Sequence, residues 1–191
     1  MSGAGQAGLL LLGAVALERG VELAVSARNA RRLLRRGGVE AGRGHYPAMV
    51  SLHAGLLVAC LVEPLLVPAP WPAAAAIPAA AAVILAQGLR WWAVTSLGGR
   101  WTTRVITLPG AAPVRRGPYR WLRHPNYLAV AVEVAALPLA LGAWRTAIAA
   151  SVANALLLRT RIRVEERALG DGWRSAFRRR PRSRFAEEAD G

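Results

Sequence analysis

The chain has 191 residues, 54% of them hydrophobic, and a formal net charge of +14 in which every basic residue is arginine. This combination is unlike a soluble domain with one core and favours membrane spans joined by charged loops. The arginines follow the ends of apolar segments and form no stripe on a soluble domain, so we expect no nucleic-acid partner. A single cysteine, Cys60, and the lack of paired Cys and His spacing predict neither a disulfide nor a metal site.

Five apolar segments predict an all-α integral membrane protein with about five transmembrane helices. The final apolar run, residues 126–160, has 35 residues. A straight helix of that length would span ~52 Å, which exceeds a ~30 Å hydrocarbon core. We therefore interpret the run as a helical hairpin that turns at Gly142, with short arms that need not both cross the bilayer fully. The predicted spans are residues 6–27, 48–68, 72–92, 126–141 and 144–160.

The arginines also predict the orientation of the chain in the membrane. Six of them lie in residues 28–43, seven in 90–123 and ten in 159–184, and the other connections are nearly uncharged. The positive-inside rule places these three regions in the cytoplasm. Five spans satisfy this alternation, with the N-terminus outside and the C-terminus in the cytoplasm. The first segment is not interpreted as a cleavable signal peptide, because no basic region precedes its apolar residues.

Several polar side chains lie within the predicted spans, where ionisable groups are costly and face the helix bundle or a cavity. They either form interhelical pairs that fix the packing or line a substrate cavity, and the sequence leaves both open. His53 and Gln87 pose the same choice between an interhelical hydrogen bond and a ligand contact. The ionisable residues in question are Glu18, Arg19, Glu22, Glu63 and Glu133.

The connector of residues 93–125 is long and rich in Gly and Pro, and a loop of this kind is usually functional. Its broken backbone offers free N–H and C=O groups, which suit the edge of an adenine ring. Downstream, the segment 164–180 is interpreted as one or two short amphipathic helices, with Leu169, Trp173 and Phe177 recurring every four residues. Such helices lie along a membrane surface or fold over a site.

Near the start of that segment, "RIRVEERAL" places Arg161 and Glu165 four residues apart, on one face of a helix. A solvated, charged helix explains this spacing as well as a site does. The motif becomes specific only in combination with a second motif, "GPYRWLRHPNY" at residues 117–127. The two motifs, separated by a helical hairpin, resemble the isoprenylcysteine carboxyl methyltransferase family, and especially its bacterial membrane branch.

The resemblance implies a single membrane methyltransferase domain, residues 1–191, that uses S-adenosyl-L-methionine and needs no metal. Its cofactor-binding region would be residues 98–180, with a cytosolic pocket formed by the 93–125 connector and the C-terminal helices. A lipid substrate would reach the pocket through an opening between the spans. The implied location is the bacterial cytoplasmic membrane.

The resemblance also assigns residues. Tyr119 matches the tyrosine of a G-x-Y element, and residues 124–127 match an H-P-x-Y element. Glu165 matches the first acid of an E-E-x-x-L element, and Arg161 matches an arginine near the reacting group of the substrate. Arg161 and Glu165 are therefore the predicted catalytic residues. The predicted cofactor-binding residues are Ala111, Ala112, Pro113, Val114, Tyr119, Arg123, His124, Pro125, Asn126, Tyr127, Glu165 and Glu166.

The implied reaction is O-methylation of a membrane-embedded lipid. The acceptor is expected to be a long-chain lipid with an acidic hydroxyl, such as an alkylpyrone or alkylresorcinol, or a prenylcysteine-like carboxylate. Two alternatives stay open. Membrane sterol reductases carry an "RHPNY"-like motif and bind NADPH, although the "EERAL" element favours the methyltransferase. A non-enzymatic, Arg-rich scaffold that gathers anionic membrane lipids is the other alternative.

Overall fold

A computed structural model describes residues 3–67 and 71–178, with side chains for residues 6–67 and 71–170. The described chain is helical apart from two three-residue strands and short turns, which confirms the predicted all-α class with five helices. The end of the predicted cofactor-binding region, residues 179–180, lies outside the described residues. The elements are α1 Gly3–Arg35, β1 Val39–Ala41, α2 Tyr46–Leu66, α3 Ala73–Leu97, β2 Val105–Thr107, α4 Pro125–Ala140 and α5 Trp144–Arg178.

Local signals explain where several helices begin and end. Proline occupies the first turn of both α2 and α4, where its missing N–H leaves no intrahelical bond unmade. Gly142, at φ +80°, makes the turn between α4 and α5 where the hairpin was expected. Gly170 breaks the helical backbone of α5, so the predicted amphipathic segment is the continuation of α5 across a kink.

Two of the described helical segments are long and apolar enough to cross a membrane, Arg43–Leu66 and Ala73–Arg100. Only 11% and 22% of the residues in their most apolar windows are buried inside the protein. A core helix of a soluble protein would be mostly buried, so these helices present their apolar side chains outward, as membrane spans do. In contrast, α4 has 16 residues, too few for a full crossing without tilt or thinning of the bilayer.

The apolar core lies where α4 packs between α3 and α5. Val134 and Leu137 of α4 are completely buried, and Val83 of α3 meets them. Cys60 of α2 is a free thiol buried in the same cluster, as predicted. The face of α4 that carries Val134 and Leu137 is thus covered by the other helices.

The charged residues of the spans form a buried ion-pair cluster, which consists of Glu18, Arg19, Glu22, Arg90 and Glu133. Arg19 Nη1 lies 2.6 Å from Glu22 Oε2, and Arg19 Nη2 lies 3.4 Å from Glu133 Oε2. Arg90 Nη2 lies 2.9 Å from Glu133 Oε2, and Arg90 Nη1 lies 3.6 Å from Glu22 Oε2. Glu18 lies 3.6 Å from Arg19, which completes the cluster. These contacts join α1 to α3 and α4.

The position of Arg90 corrects one expectation from the sequence. Arg90 was grouped with the cytoplasmic arginines of residues 90–123, but its side chain is 3% exposed within α3. Its charge is neutralised by carboxylates on two other helices, so it contributes to packing and not to the surface charge of a loop.

Glu63 has a different role from the cluster. Its carboxylate accepts hydrogen bonds from the backbone N–H groups of Arg145, at 3.0 Å, and Thr146, at 2.7 Å. The Thr146 hydroxyl donates to the same carboxylate at 2.6 Å. These N–H groups belong to the first turn of α5 and have no intrahelical acceptor, so Glu63 of α2 caps α5.

We predict that Arg90→Met destabilises the protein by about 3–5 kcal/mol, because it leaves buried carboxylates with one guanidinium in place of two. Chemical unfolding in detergent micelles measures the change. Arg104→Met is the matched control: Arg104 is 44% exposed and lies 3.5 Å from Glu40, and such surface pairs contribute about 1 kcal/mol or less. Equal losses in the two variants would contradict a structural role for the cluster.

Candidate active site

The connector between α3 and α4 is fastened at its start by the C-terminal part of α1. Asn29 Nδ2 donates hydrogen bonds to the carbonyl oxygens of Gly98, at 3.1 Å, and Trp101, at 2.9 Å. Ser26 Oγ lies 2.8 Å from Thr103 Oγ1 and accepts a hydrogen bond from the backbone N–H of Thr103. Residues 98–103 therefore have a fixed path although their backbone is irregular.

A short antiparallel ladder continues this attachment. β1 pairs with β2 in the register Val39 to Thr107 and Ala41 to Val105. Both strands have only three residues, and no pattern in the sequence identifies them as partners. The ladder joins the α1–α2 connection to the connector.

The second half of the connector depends on a close backbone approach at Gly117. Its φ is +56°, and a Cβ at this position would overlap Ser96 Oγ of α3. Arg116 Nε donates a hydrogen bond to the Ser96 carbonyl at 2.7 Å, and Arg100 Nη1 donates to the Ala112 carbonyl at 2.6 Å. These contacts hold the backbone of residues 111–114 and bring the following turn, Gly117–Arg120, against α3.

Aromatic and acidic side chains from α4 and α5 meet beyond this turn. The Tyr127 hydroxyl donates a short hydrogen bond to Glu165 Oε2. The His124 ring stacks on the Tyr127 ring with 5.3 Å between centroids, and His124 Nε2 lies 3.3 Å from Glu166 Oε1. The two motifs singled out in the sequence are thus in direct contact.

Arg161 lies one helical turn before Glu165 and is 5% exposed. Its Nη2 donates to the Thr103 carbonyl at 2.8 Å, its Nη1 lies 2.9 Å from Met49 Sδ, and its guanidinium carbon lies 5.6 Å from the centroid of the Tyr127 ring. Every one of these partners is uncharged, and Arg161 Nε has no hydrogen-bond partner among the described residues. Arg161 is therefore a buried cation that no carboxylate of the described chain neutralises through an ion pair.

These residues surround a cavity of about 1040 Å³. Ligand pockets usually measure about 300–1,000 Å³, so the cavity has room for a cofactor and part of a second molecule. Pro125 is buried at the start of α4, and Glu166 contacts His124; neither is on the wall. The other predicted residues line it: Ala111, Ala112, Pro113, Val114, Tyr119, Arg123, His124, Asn126, Tyr127, Arg161 and Glu165.

Two features of the wall bear on what it can bind. Asn126 Oδ1 is buried and has no hydrogen-bond partner in the described chain, so it is available to a donor group of a ligand. Burial raises the pKa of Tyr119, and the negative charge of Glu165 raises it further. The Tyr119 phenol therefore keeps its proton at neutral pH and can donate a hydrogen bond.

The cavity extends from this polar end into the helix bundle. Arg19, Glu22 and Arg90 of the ion-pair cluster line its inner part, together with His53. Of the charged residues that the sequence singled out, Arg19 and Glu22 therefore both form ion pairs and line a cavity. Gln87, in contrast, accepts a hydrogen bond from Arg19 at 3.4 Å and is not on the wall.

Sequence reasoning missed several residues that shape the site. Thr103 and Met49 hold Arg161, and Asn29 holds the connector. A signal existed for α1, because Ser26 and Asn29 are three residues apart and so share a helix face. No local pattern marks Met49 or the Thr103 carbonyl, which reach Arg161 only through the fold.

The chain is similar in sequence to a known protein family and to a bacterial protein. A sequence model of the isoprenylcysteine carboxyl methyltransferase (ICMT) family matches residues 79–171, from α3 to the kink in α5. The chain is also 36% identical over 163 residues to the uncharacterized protein YpbQ of Bacillus subtilis (strain 168), an alignment that covers 84% of this chain and 95% of that protein.

The chain belongs to the isoprenylcysteine carboxyl methyltransferase family. Members of the family are membrane methyltransferases, and in general they use S-adenosylmethionine. The class of the protein, a membrane-bound transferase, follows from this membership and from the two apolar spans with outward-facing side chains.

We predict that Gly117→Ala destabilises the protein by about 1–3 kcal/mol, since a Cβ adds strain at a positive φ and collides with α3. Thermal unfolding in detergent measures this change. Gly99→Ala is the matched control in the same connector, because its Cβ would meet no atom within 4 Å and its φ needs no glycine. If both variants melt like the parent protein, the close approach at Gly117 does not fix the connector.

Proposed function

We propose that this protein transfers the methyl group of S-adenosyl-L-methionine to an oxygen of a membrane-embedded lipid. The observation that carries the proposal is the buried, unneutralised guanidinium of Arg161 on the wall of a large cavity, one turn from Glu165. A buried cation with only uncharged partners is costly, and an anionic ligand group beside it removes that cost. The cation therefore favours the ionised form of an acceptor oxygen.

The chemistry of the cavity wall fits the proposed cofactor. Glu165 Oε2 accepts from Tyr127, which leaves Oε1 to accept a charge-assisted hydrogen bond from an α-amino group. Asn126 Oδ1 needs a donor, which a ribose hydroxyl or an amino group supplies. Residues 111–114 also line the cavity, and their backbone offers polar groups to an adenine edge. When bound, the cofactor supplies an electrophilic methyl group on a sulfonium sulfur.

The protein contributes position and charge to such a reaction. The ring of Tyr119 lies on the cavity wall, where an aromatic ring suits a sulfonium cation. Arg161 holds the acceptor oxygen in line with the methyl group. Because methyl transfer is an in-line displacement, orienting the two molecules supplies much of the rate enhancement. No metal is assigned to this chemistry.

The cavity wall also supports a lipid acceptor. Leu23 of α1 and Val50 of α2 line the cavity and are 47% and 41% exposed, so apolar surface is left uncovered on this side of the cavity. In a membrane that surface meets acyl chains, so the gap between α1 and α2 is a route for a lipid tail. We assign the acceptor to long-chain lipids whose reacting group is an acidic hydroxyl, as in alkylpyrones and alkylresorcinols, or a prenylcysteine-like carboxylate.

The remaining assignments follow from the arginine distribution and the family. We propose a single domain of the bacterial branch in the cytoplasmic membrane, with five crossings, the N-terminus outside and the cofactor pocket facing the cytoplasm. The short α4 crosses by tilting or by local thinning of the bilayer.

Incubation of the full-length protein in detergent with methyl-labelled S-adenosylmethionine and a lipid extract of the host membrane tests the proposal. We expect label in a lipid-soluble product that is released by ether or ester cleavage, which identifies an oxygen acceptor. Label that stays in the aqueous phase, or that resists both cleavages, would contradict the proposed reaction.

Glu165→Gln should lower the affinity for S-adenosylhomocysteine by about 10–100-fold, since one charge-assisted hydrogen bond contributes about 1.5–3 kcal/mol. Calorimetric titration of the detergent-solubilised protein measures the affinity. Glu166→Gln is the control, because Glu166 contacts His124 and not the cavity. An unchanged affinity in Glu165→Gln would remove Glu165 from the cofactor site.

Arg161→Ala should lower kcat by about 10²-fold or more, as expected when a charge that positions and ionises the acceptor is removed. Its affinity for S-adenosylhomocysteine should change much less. Arg163→Ala provides the control on the exposed side of α5. Equal activities of the two variants would show that the buried cation takes no part in turnover.

A further inference from the structure

His53 has an orientation that leaves one ring nitrogen available to a ligand. It lies on α2 and lines the inner part of the cavity. Its Nδ1 is 2.9 Å from the carbonyl oxygen of Met49, one turn earlier in the same helix. A carbonyl oxygen has no hydrogen to donate, so Nδ1 carries the ring hydrogen in this contact. The neutral ring then has its lone pair at Nε2, on the edge that faces away from the α2 backbone.

His53 and Arg161 flank the same methionine. The Met49 carbonyl binds the His53 ring, and the Met49 sulfur lies 2.9 Å from Arg161 Nη1. Both side chains are on the cavity wall. Met49 therefore connects the two side chains on the wall that α2 contributes to the cavity.

The charges beside His53 act on its ring in both directions: Glu133 favours a proton there, whereas Arg90 and Arg19 oppose it and burial favours the neutral ring. His53 interacts electrostatically with Glu133, Arg90 and Arg19, members of the ion-pair cluster. The cluster has three carboxylates, with Glu18 and Glu22, against two guanidiniums, so its net charge with all groups ionised is −1. A protonated His53 brings the sum to zero.

Arg161 is a further positive charge on the cavity wall, and an anionic acceptor oxygen neutralises it. The two positive groups, Arg161 and an imidazolium at His53, then both belong to the wall around one negative oxygen. This arrangement stabilises an oxygen that has just lost its proton.

We propose that His53 accepts the proton of the acceptor, and that the acceptor is consequently a neutral phenol or enol hydroxyl and not a carboxylate. The inference rests on the proposed methyl transfer and deepens it. The O–H bond breaks as the oxygen forms its bond to the methyl carbon, and the proton passes to His53 Nε2. The methyl–sulfur bond breaks with both electrons kept by sulfur, which becomes a neutral thioether. A carboxylate, already ionised at neutral pH, needs no such proton acceptor.

His53→Asn separates the two functions of the ring. The asparagine amide keeps an N–H donor for the Met49 carbonyl but has no titratable nitrogen at the Nε2 position. The probes are pentadecylresorcinol, a neutral phenol, and N-acetyl-S-farnesylcysteine, a carboxylate, each in detergent micelles with the full-length protein. Binding of S-adenosylhomocysteine is measured on the same samples.

We expect the parent protein to methylate the resorcinol, with kcat/KM falling toward acid pH as His53 becomes protonated. In His53→Asn, kcat/KM should fall by about 10²–10⁴-fold at neutral pH, the usual contribution of a general base. The deficit should shrink as rising pH ionises the phenol without help. Binding of S-adenosylhomocysteine should stay unchanged. A ring with only a structural role would not produce this rescue by alkali.

An unchanged kcat/KM for the resorcinol in His53→Asn overturns the inference, and so does a deficit that is equal at every pH. Methylation of the farnesylcysteine alone, or of neither probe, by a parent protein that binds S-adenosylhomocysteine overturns the assigned acceptor class and leaves the methyltransferase function standing. Failure of the parent protein to bind S-adenosylhomocysteine contradicts the proposed function itself.

Discussion

The buried ion-pair cluster is the constraint on which the arrangement of the helices depends. An unpaired charge in hydrocarbon is expensive, so Arg19 and Glu22 of α1 must meet Arg90 of α3 and Glu133 of α4. These contacts fix the depth and rotation of α1. With α1 so placed, Ser26 and Asn29 reach the connector and hold residues 98–103. The charges that determine the packing therefore also position the wall of the cavity.

Local signals in the sequence predict the helices but not their lengths or partners. α1 and α5 extend beyond their apolar segments, because no helix breaker stops them until Gly37 and Gly170. The charge of Arg90 was assigned to a loop, since its carboxylate partners are far away in the chain. The pairing of β1 with β2 is not predicted either, because three-residue strands carry too little pattern to reveal their register.

The candidate site shows the same division between local and long-range information. Two motifs, one before α4 and one near the end of α5, predict Tyr127 and Glu165 as site residues, and the fold brings them into contact. The environment of Arg161 cannot be read from the sequence, because Met49 and the Thr103 carbonyl come from two other parts of the chain. Burial without a carboxylate partner is what distinguishes Arg161 from the exposed arginines of the same helix.

In the proposed reaction, a water-soluble cofactor and a membrane-soluble acceptor meet where the polar end of the cavity joins its apolar wall. Competitive binding to the full-length protein in detergent tests this account most directly, with S-adenosylhomocysteine and NADPH as the two ligands. The account predicts saturable binding of S-adenosylhomocysteine that excess NADPH does not displace. Saturable binding of NADPH, with none of S-adenosylhomocysteine, would contradict it and favour a reductase.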